Sequence, residues 1–121
     1  MAATQRAVDL ARAAGAAAQD KMAQEVVGLD VSAQLALTDV FVIASAPNER
    51  QVGAVVDAVQ ERLLELGAKP VRREGRREGR WVLLDFGDIV VHVMHAEERA
   101  FYDLERLWKD CPEVTLPDPQ S

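Results

Sequence analysis

The stretch Trp81-Val82-Leu83-Leu84-Asp85-Phe86-Gly87-Asp88-Ile89-Val90-Val91-His92-Val93-Met94 decides the fold. Two apolar runs flank Gly87-Asp88, a pair whose backbone freedom suits a two-residue hairpin loop. With that loop, Phe86 falls opposite Ile89, Leu84 opposite Val91 and Val82 opposite Val93, all on one face. That face is core. The other face sets Trp81 beside Met94, Leu83 beside His92 and Asp85 beside Val90. It mixes a large aromatic ring, a flexible thioether and an imidazole, a composition that protein-binding surfaces favour. The alternative is a helix lying over this face, with Trp81 in a second core.

Upstream, Thr38 to Ser45 reads as a strand whose unbroken Val40-Phe41-Val42-Ile43 predicts burial on both faces. Residues 24–31 form an earlier strand and the Ala-rich residues 3–23 a helix. Pro47 blocks an early helix start, and Asn48 with Gln51 looks like a capping box. The helix it opens carries Val52, Val55, Val56, Val59, Leu63 and Leu66 on one face, stops at Gly67 and is followed by Pro70. Val71 and its neighbours predict a short edge strand. Residues 72–80, a tandem Arg-Arg-Glu-Gly repeat ending in Arg80, predict a solvated loop. Ala96 to about Lys109 predicts a last helix with Phe101, Leu104, Leu107 and Trp108 turned inward. The order predicts a three-layer α/β (α+β) domain with a mixed sheet over residues 1–110, and an irregular Pro-containing tail at 111–121.

A chain of 121 residues is one domain's worth, and 49% hydrophobic with 28% charged residues is a globular balance. The strongly apolar run Val40 to Ala44 is far too short to span a bilayer. The net charge of −6 is unevenly placed. Residues 1–71 carry 6 basic and 9 acidic groups, residues 72–80 carry five Arg and two Glu, and residues 81–121 carry 3 basic and 9 acidic groups. An acidic C-terminal third repels bare phosphate backbones and attracts basic partners. Cys111 is the single cysteine, which excludes an intrachain disulfide and suits a reducing compartment. With no apolar signal core, and with Asp9 and Asp20 in the N-terminal stretch, a cytoplasmic location is expected.

Enzyme chemistry finds little footing. His92 and His95 are three apart, so on one strand their rings point to opposite faces and cannot chelate together. Asp85 and Asp88 are the one acidic pair beside a sheet turn. A metal-dependent nucleotidyl transferase would want two acids on one face, and Asp88 more simply serves the turn. No phosphate-binding glycine loop and no nucleophile elbow occurs. Arg72, Arg73, Arg76, Arg77 and Arg80 could meet RNA phosphates, although no aromatic residue interrupts them to stack on bases.

Four further segments join the opening stretch in a recognisable set: Thr38-Asp39-Val40-Phe41-Val42-Ile43, Arg50-Gln51-Val52, Glu74-Gly75, and Arg99 to Trp108 with Tyr102, Leu104, Glu105 and Leu107 between them. Together they resemble the ribosomal silencing factor, or Iojap-like, family from about residue 5 to 110. The resemblance implies a nucleotidyltransferase-like core with a mixed five-stranded sheet but a nonenzymatic role without a cofactor. It implies binding to the large ribosomal subunit at ribosomal protein fourteen, obstruction of subunit joining and lower translation when nutrients are short. It places the contact at Trp81, Met94, Arg99, Tyr102 and Glu105, leaves a minor ribosomal RNA contact to the Arg loop, and implies a weak homodimer. After the second strand this chain has Ala46-Pro47-Asn48 where many family members have a Gly-x-Ser-like turn.

Overall fold

The hairpin forms in the expected register. In a computed structural model that describes residues 2–116, β4 (Trp81–Asp85) pairs antiparallel with β5 (Ile89–His95). Trp81 faces Met94, Val82 faces Val93, Leu83 faces His92, Leu84 faces Val91 and Asp85 faces Val90. Gly87 takes φ +87°, and the Phe86 N–H donates to the Ile89 carbonyl at 2.9 Å to close the turn. Asp85 secures the loop by accepting the Gly87 N–H at 2.8 Å.

The remaining elements are α1 (Gln5–Asp20), β1 (Gln24–Asp30), β2 (Val40–Ala46), α2 (Glu49–Glu65), β3 (Arg72–Glu74), α3 (Ala96–Tyr102), α4 (Leu104–Leu107) and β6 (Glu113–Val114). The sheet order is β3-β4-β5-β2-β1-β6. Only β2 and β5 run parallel, so the sheet is mixed as expected. All seven residues of β2 are buried, because it lies inside the sheet with side chains packed on both faces.

One face is sealed by α1 and α2. Ala7, Ala11, Ala14 and Ala18 line the buried side of α1, and their small side chains let it lie close to α2 and the sheet. Val52, Val55, Val56, Val59 and Leu63 are fully buried from α2, each contributing about 1.5–3 kcal/mol of hydrophobic stabilisation. Asn48 caps α2 by accepting the Gln51 N–H at 2.8 Å. The reciprocal half of the capping box is absent, since the Gln51 side-chain amide donates to the Lys21 carbonyl at 3.1 Å and ties α2 to the turn after α1. At the other end Gly67 (φ +83°) donates to the Leu64 carbonyl and Ala68 to the Leu63 carbonyl, a Schellman stop.

Three expectations change. The sheet has six strands rather than five, because the tail is not irregular at its start: β6 pairs with β1 as Gly28↔Val114 and Leu29↔Glu113. Gly28 and Gly15 lack side chains where Leu116 packs, and this opening seats the tail. Pro117 and Pro119 lie outside the described residues. The Arg-rich segment is not all loop, since residues 72–74 pair with β4 as β3. The last helix is not continuous. Asp103 takes a left-handed backbone (φ 49°, ψ 56°) and splits it into α3 and α4. Leu104 stays buried, but Phe101 is 80% and Leu107 74% exposed rather than inward.

Candidate protein-docking surface

The second sheet face is only partly covered. Leu29, Phe41, Ile43, Val90 and Met94 pack beneath Leu104 of α4, Trp108 and Cys111, forming a smaller core. Across it runs a continuous line of rings. Phe101 meets Tyr102 at 5.0 Å, Tyr102 meets Trp81 at 5.0 Å and Trp81 meets His92 at 6.1 Å. His92 meets Phe41 at 4.9 Å, and Phe41 meets Trp108 at 5.1 Å, both edge-on. The line starts in solvent at α3, passes through half-buried Trp81 and dips into the core at Phe41. Tyr102 is half exposed, one residue on from Phe101 and turned toward Trp81.

His92 anchors this line. Its Nδ1 accepts the Trp81 indole N–H at 3.2 Å, which places the imidazole proton on Nε2 and fixes the Trp81 ring over the sheet. Burial pushes the His92 pKa down to about 4, so the ring is neutral at physiological pH. A neutral imidazole is the form that can accept from indole. His95 points elsewhere and caps α3, accepting the Glu97 N–H at 3.1 Å. The two histidines therefore diverge, and among the described residues no three His, Cys, Asp or Glu side chains converge on a metal position. Asp85 is occupied by the hairpin turn and Asp88 lies exposed beside it.

The five residues expected at the contact are brought into one region but not onto one surface. Trp81 and Tyr102 present their rings outward. Met94 is fully buried beneath them, because β5 is an interior strand covered on this face, so it supports the surface from below. Arg99 is buried to 5% exposure. Its Nη1 donates to the Gln24 carbonyl and to Ser45 Oγ, both at 3.2 Å, and its Nη2 donates to Glu105 Oε2 at 2.9 Å. Arg99 and Glu105 thus brace the bend between α3 and α4 rather than offering a free charged rim. The exposure of Phe101 and Leu107 was missed in the sequence because neither Gly nor Pro marks the bend at Asp103.

Arg80 sits next to Trp81 and holds three carboxylates: Glu98 through Nε at 3.0 Å, Glu49 through Nη1 at 2.9 Å and Glu97 through Nη2 at 3.2 Å. These bonds raise its pKa further, so it is always charged. The Glu49 carboxyl is held below its usual range by its own backbone N–H and by Arg80. Arg80 therefore staples the starts of α2 and α3 to β4. Arg76 pairs with Asp57 of α2 at 3.0 Å and Arg72 with Glu74 at 3.1 Å. Arg73 and Arg77 are exposed and have no ion-pair partner among the described residues.

A small three-layer α/β domain, helices sealing one sheet face and a line of aromatic rings open on the other, has the build of a docking module. The particular family follows from comparison. Residues 4–121 match the model of the family described as "Ribosomal silencing factor during starvation". The chain is 43% identical over 100 residues to the ribosomal silencing factor RsfS of Halalkalibacterium halodurans, covering 83% of this chain and 86% of that one. It is 40% identical over 103 residues to RsfS of Bacillus subtilis, covering 85% and 87%. A crystal structure of a Chromobacterium violaceum protein superposes with a TM-score of 0.81 at 35% identity, covering 93% of this chain and 97% of that one. The chain belongs to the ribosomal silencing factor family.

Proposed function

We propose that the protein binds the large ribosomal subunit through ribosomal protein fourteen and stands in the way of the small subunit, lowering translation when nutrients are short. It acts as a binder and not as an enzyme, and as a cytoplasmic protein that self-associates weakly off the ribosome. The observation that carries this reading is the aromatic line on the open sheet face of a chain in this family. Tyr102 and Trp81, in tilted contact at 5.0 Å and with Trp81 held from below by His92, supply large rigid rings at low entropic cost. Phe101 and Leu107 extend the apolar area. Met94, Arg99 and Glu105 serve the contact by holding those rings in place. The acidic balance of residues 81–121 suits a basic ribosomal protein. Arg73 and Arg77 remain available for a secondary contact with ribosomal RNA, whereas Arg72, Arg76 and Arg80 are already neutralised within the chain.

The test is cosedimentation with separated ribosomal subunits, followed by reassociation of those subunits with the protein present. The protein is expected to travel with the large subunit and to reduce the assembled fraction. Trp81→Ala and Tyr102→Ala should each weaken binding by about 2 kcal/mol, more than tenfold, as hot-spot aromatics do. Normal binding by both variants would overturn the surface, and cosedimentation with the small subunit alone would overturn the function.

A further inference from the structure

A cleft of about 590 Å³ opens beside α3, lined by Gln24, Glu25, Ser45, Arg99, Asp103 and Glu105 among others. It lies at the carboxyl ends of the parallel pair β2 and β5. From β2 the chain leaves to α2 on the helical face, and from β5 to α3 on the aromatic face. Adjacent parallel strands whose chains part in this way leave a crevice between them, the place where open α/β sheets take ligands.

The charges in this cleft are incompletely matched. The Arg99 guanidinium is buried, yet its Nε–H finds no acceptor among the described residues. Glu105 holds the neighbouring Nη2 through Oε2 alone, and its Oε1 is buried without a donor. The Nε–Nη2 edge, which accommodates a carboxylate with two parallel bonds, is therefore half used. Glu25 and Asp103 also line the cleft, and their carboxylates have no hydrogen bond or ion pair among the described residues. A simple anion would satisfy Arg99 and face two free acids. A simple cation would satisfy the acids and leave Arg99 as it is.

We propose that this cleft binds a free α-amino acid as its zwitterion. The ligand carboxylate takes the Nε–Nη2 edge of Arg99 in place of Glu105. Glu105, released, joins Glu25 and Asp103 around the ligand ammonium. Each unmatched group then gains a partner of opposite charge, and the cleft has room for a side chain. Because Glu105 lies on α4 just past the bend, occupancy also acts on the segment that carries Tyr102. The site stands on its own geometry and does not depend on the ribosomal reading.

The test is a nitrogen–proton NMR titration of the intact protein with each of the twenty free amino acids at millimolar concentration. One or more should give saturable shifts at the amides of Ser45, Ala96 and Arg99. The best of them is then compared with its carboxamide, which keeps the ammonium, and its N-acetyl form, which keeps the carboxylate. Both should bind about tenfold or more weakly, the loss expected when a charged hydrogen-bond partner is removed. Glu25→Gln combined with Asp103→Asn should weaken binding by a similar factor, and asparagine tolerates the left-handed backbone at 103. No shift with any amino acid, equal binding of a blocked form, or unchanged binding by the double variant would each overturn the proposal.

Discussion

At the residue scale, the pair Trp81 and His92 links a buried titration to a surface. In the folded chain His92 ionises near pH 4, whereas in the unfolded chain it does so near the ordinary value of 6.5. Between those values the unfolded state binds the proton and the folded state does not, so the proton favours unfolding. Stability is therefore intact above about pH 6.5 and falls as the pH drops toward 4, by at most about 3 kcal/mol. Urea unfolding followed from neutral pH down to about pH 4.5 should show that slope, and His92→Phe should flatten it. Protonation also converts Nδ1 from acceptor to donor, which breaks the bond from the Trp81 indole. Phe101 tests the outer end of the same line. With its ring 80% exposed, Phe101→Ser should leave the melting temperature almost unchanged while lowering affinity for the large subunit, and a fall in stability without a fall in affinity would remove Phe101 from the surface.

At the element scale, turns decide where the strands and helices stop, and two glycines separate two physical causes. At Gly67 the backbone is left-handed (φ +83°), and an added Cβ would meet nothing within 4 Å. Gly67→Ala should therefore cost about 1 kcal/mol, the conformational penalty alone. At Gly75 the backbone is also left-handed (φ +82°), but an added Cβ would collide with the Trp81 carbonyl oxygen. Gly75→Ala should cost distinctly more in chemical unfolding and should disturb the β3–β4 ladder, seen as lost amide protection at residues 72–74. Similar losses at the two sites would mean that close approach at Gly75 is unimportant. Turn chemistry was legible in the sequence wherever Gly, Pro or Asn enforced it: the Gly87-Asp88 hairpin, the Asn48 cap and the Gly67 stop all stand where those residues put them. The bend at Asp103 was not legible, because an aspartate inside a helical pattern is a weak local sign and the bonds that brace the bend, from Arg99 to Ser45, Gln24 and Glu105, are tertiary or depend on the bend itself. β6 was hidden for the same reason. Its two residues have no strand pattern of their own, and what admits the tail is the absence of side chains at Gly15 and Gly28, far away in sequence. Of the proposed contact surface, Trp81 could be read from strand alternation, whereas Tyr102 rested on the family resemblance, because a helical angle measured from an inward Phe101 fails when Phe101 is itself exposed, and the burial of Arg99 and Met94 depended on what covers them.

At the scale of the whole molecule, the distribution of charge sets how the protein meets a partner. The Arg-rich segment is the one basic stretch, yet Arg80 is tied to Glu49, Glu97 and Glu98, and Arg76 to Asp57. Much of its positive field is therefore cancelled within the chain. The acidity of residues 81–121 is only partly offset, and residues 81–107 of that segment form β4, β5, α3 and α4, the frame of the aromatic face. An acidic frame around apolar rings divides the work of binding between two steps. If the proposed surface is right, long-range attraction brings a basic partner to the face and governs the association rate, while the rings, once desolvated, govern how long it stays. The two steps respond differently to salt. At about 0.05 M ionic strength the screening length exceeds 10 Å, and at about 0.5 M it falls to a few ångströms. Association with isolated large subunits, followed by stopped-flow fluorescence, should therefore slow by about tenfold or more over that range, with dissociation nearly constant. Trp81→Ala should do the reverse, leaving association and its salt dependence in place and speeding dissociation. An association rate that is flat in salt would show that the acidic frame does not steer, and a rate that rises with salt would show that it faces phosphate instead of basic protein.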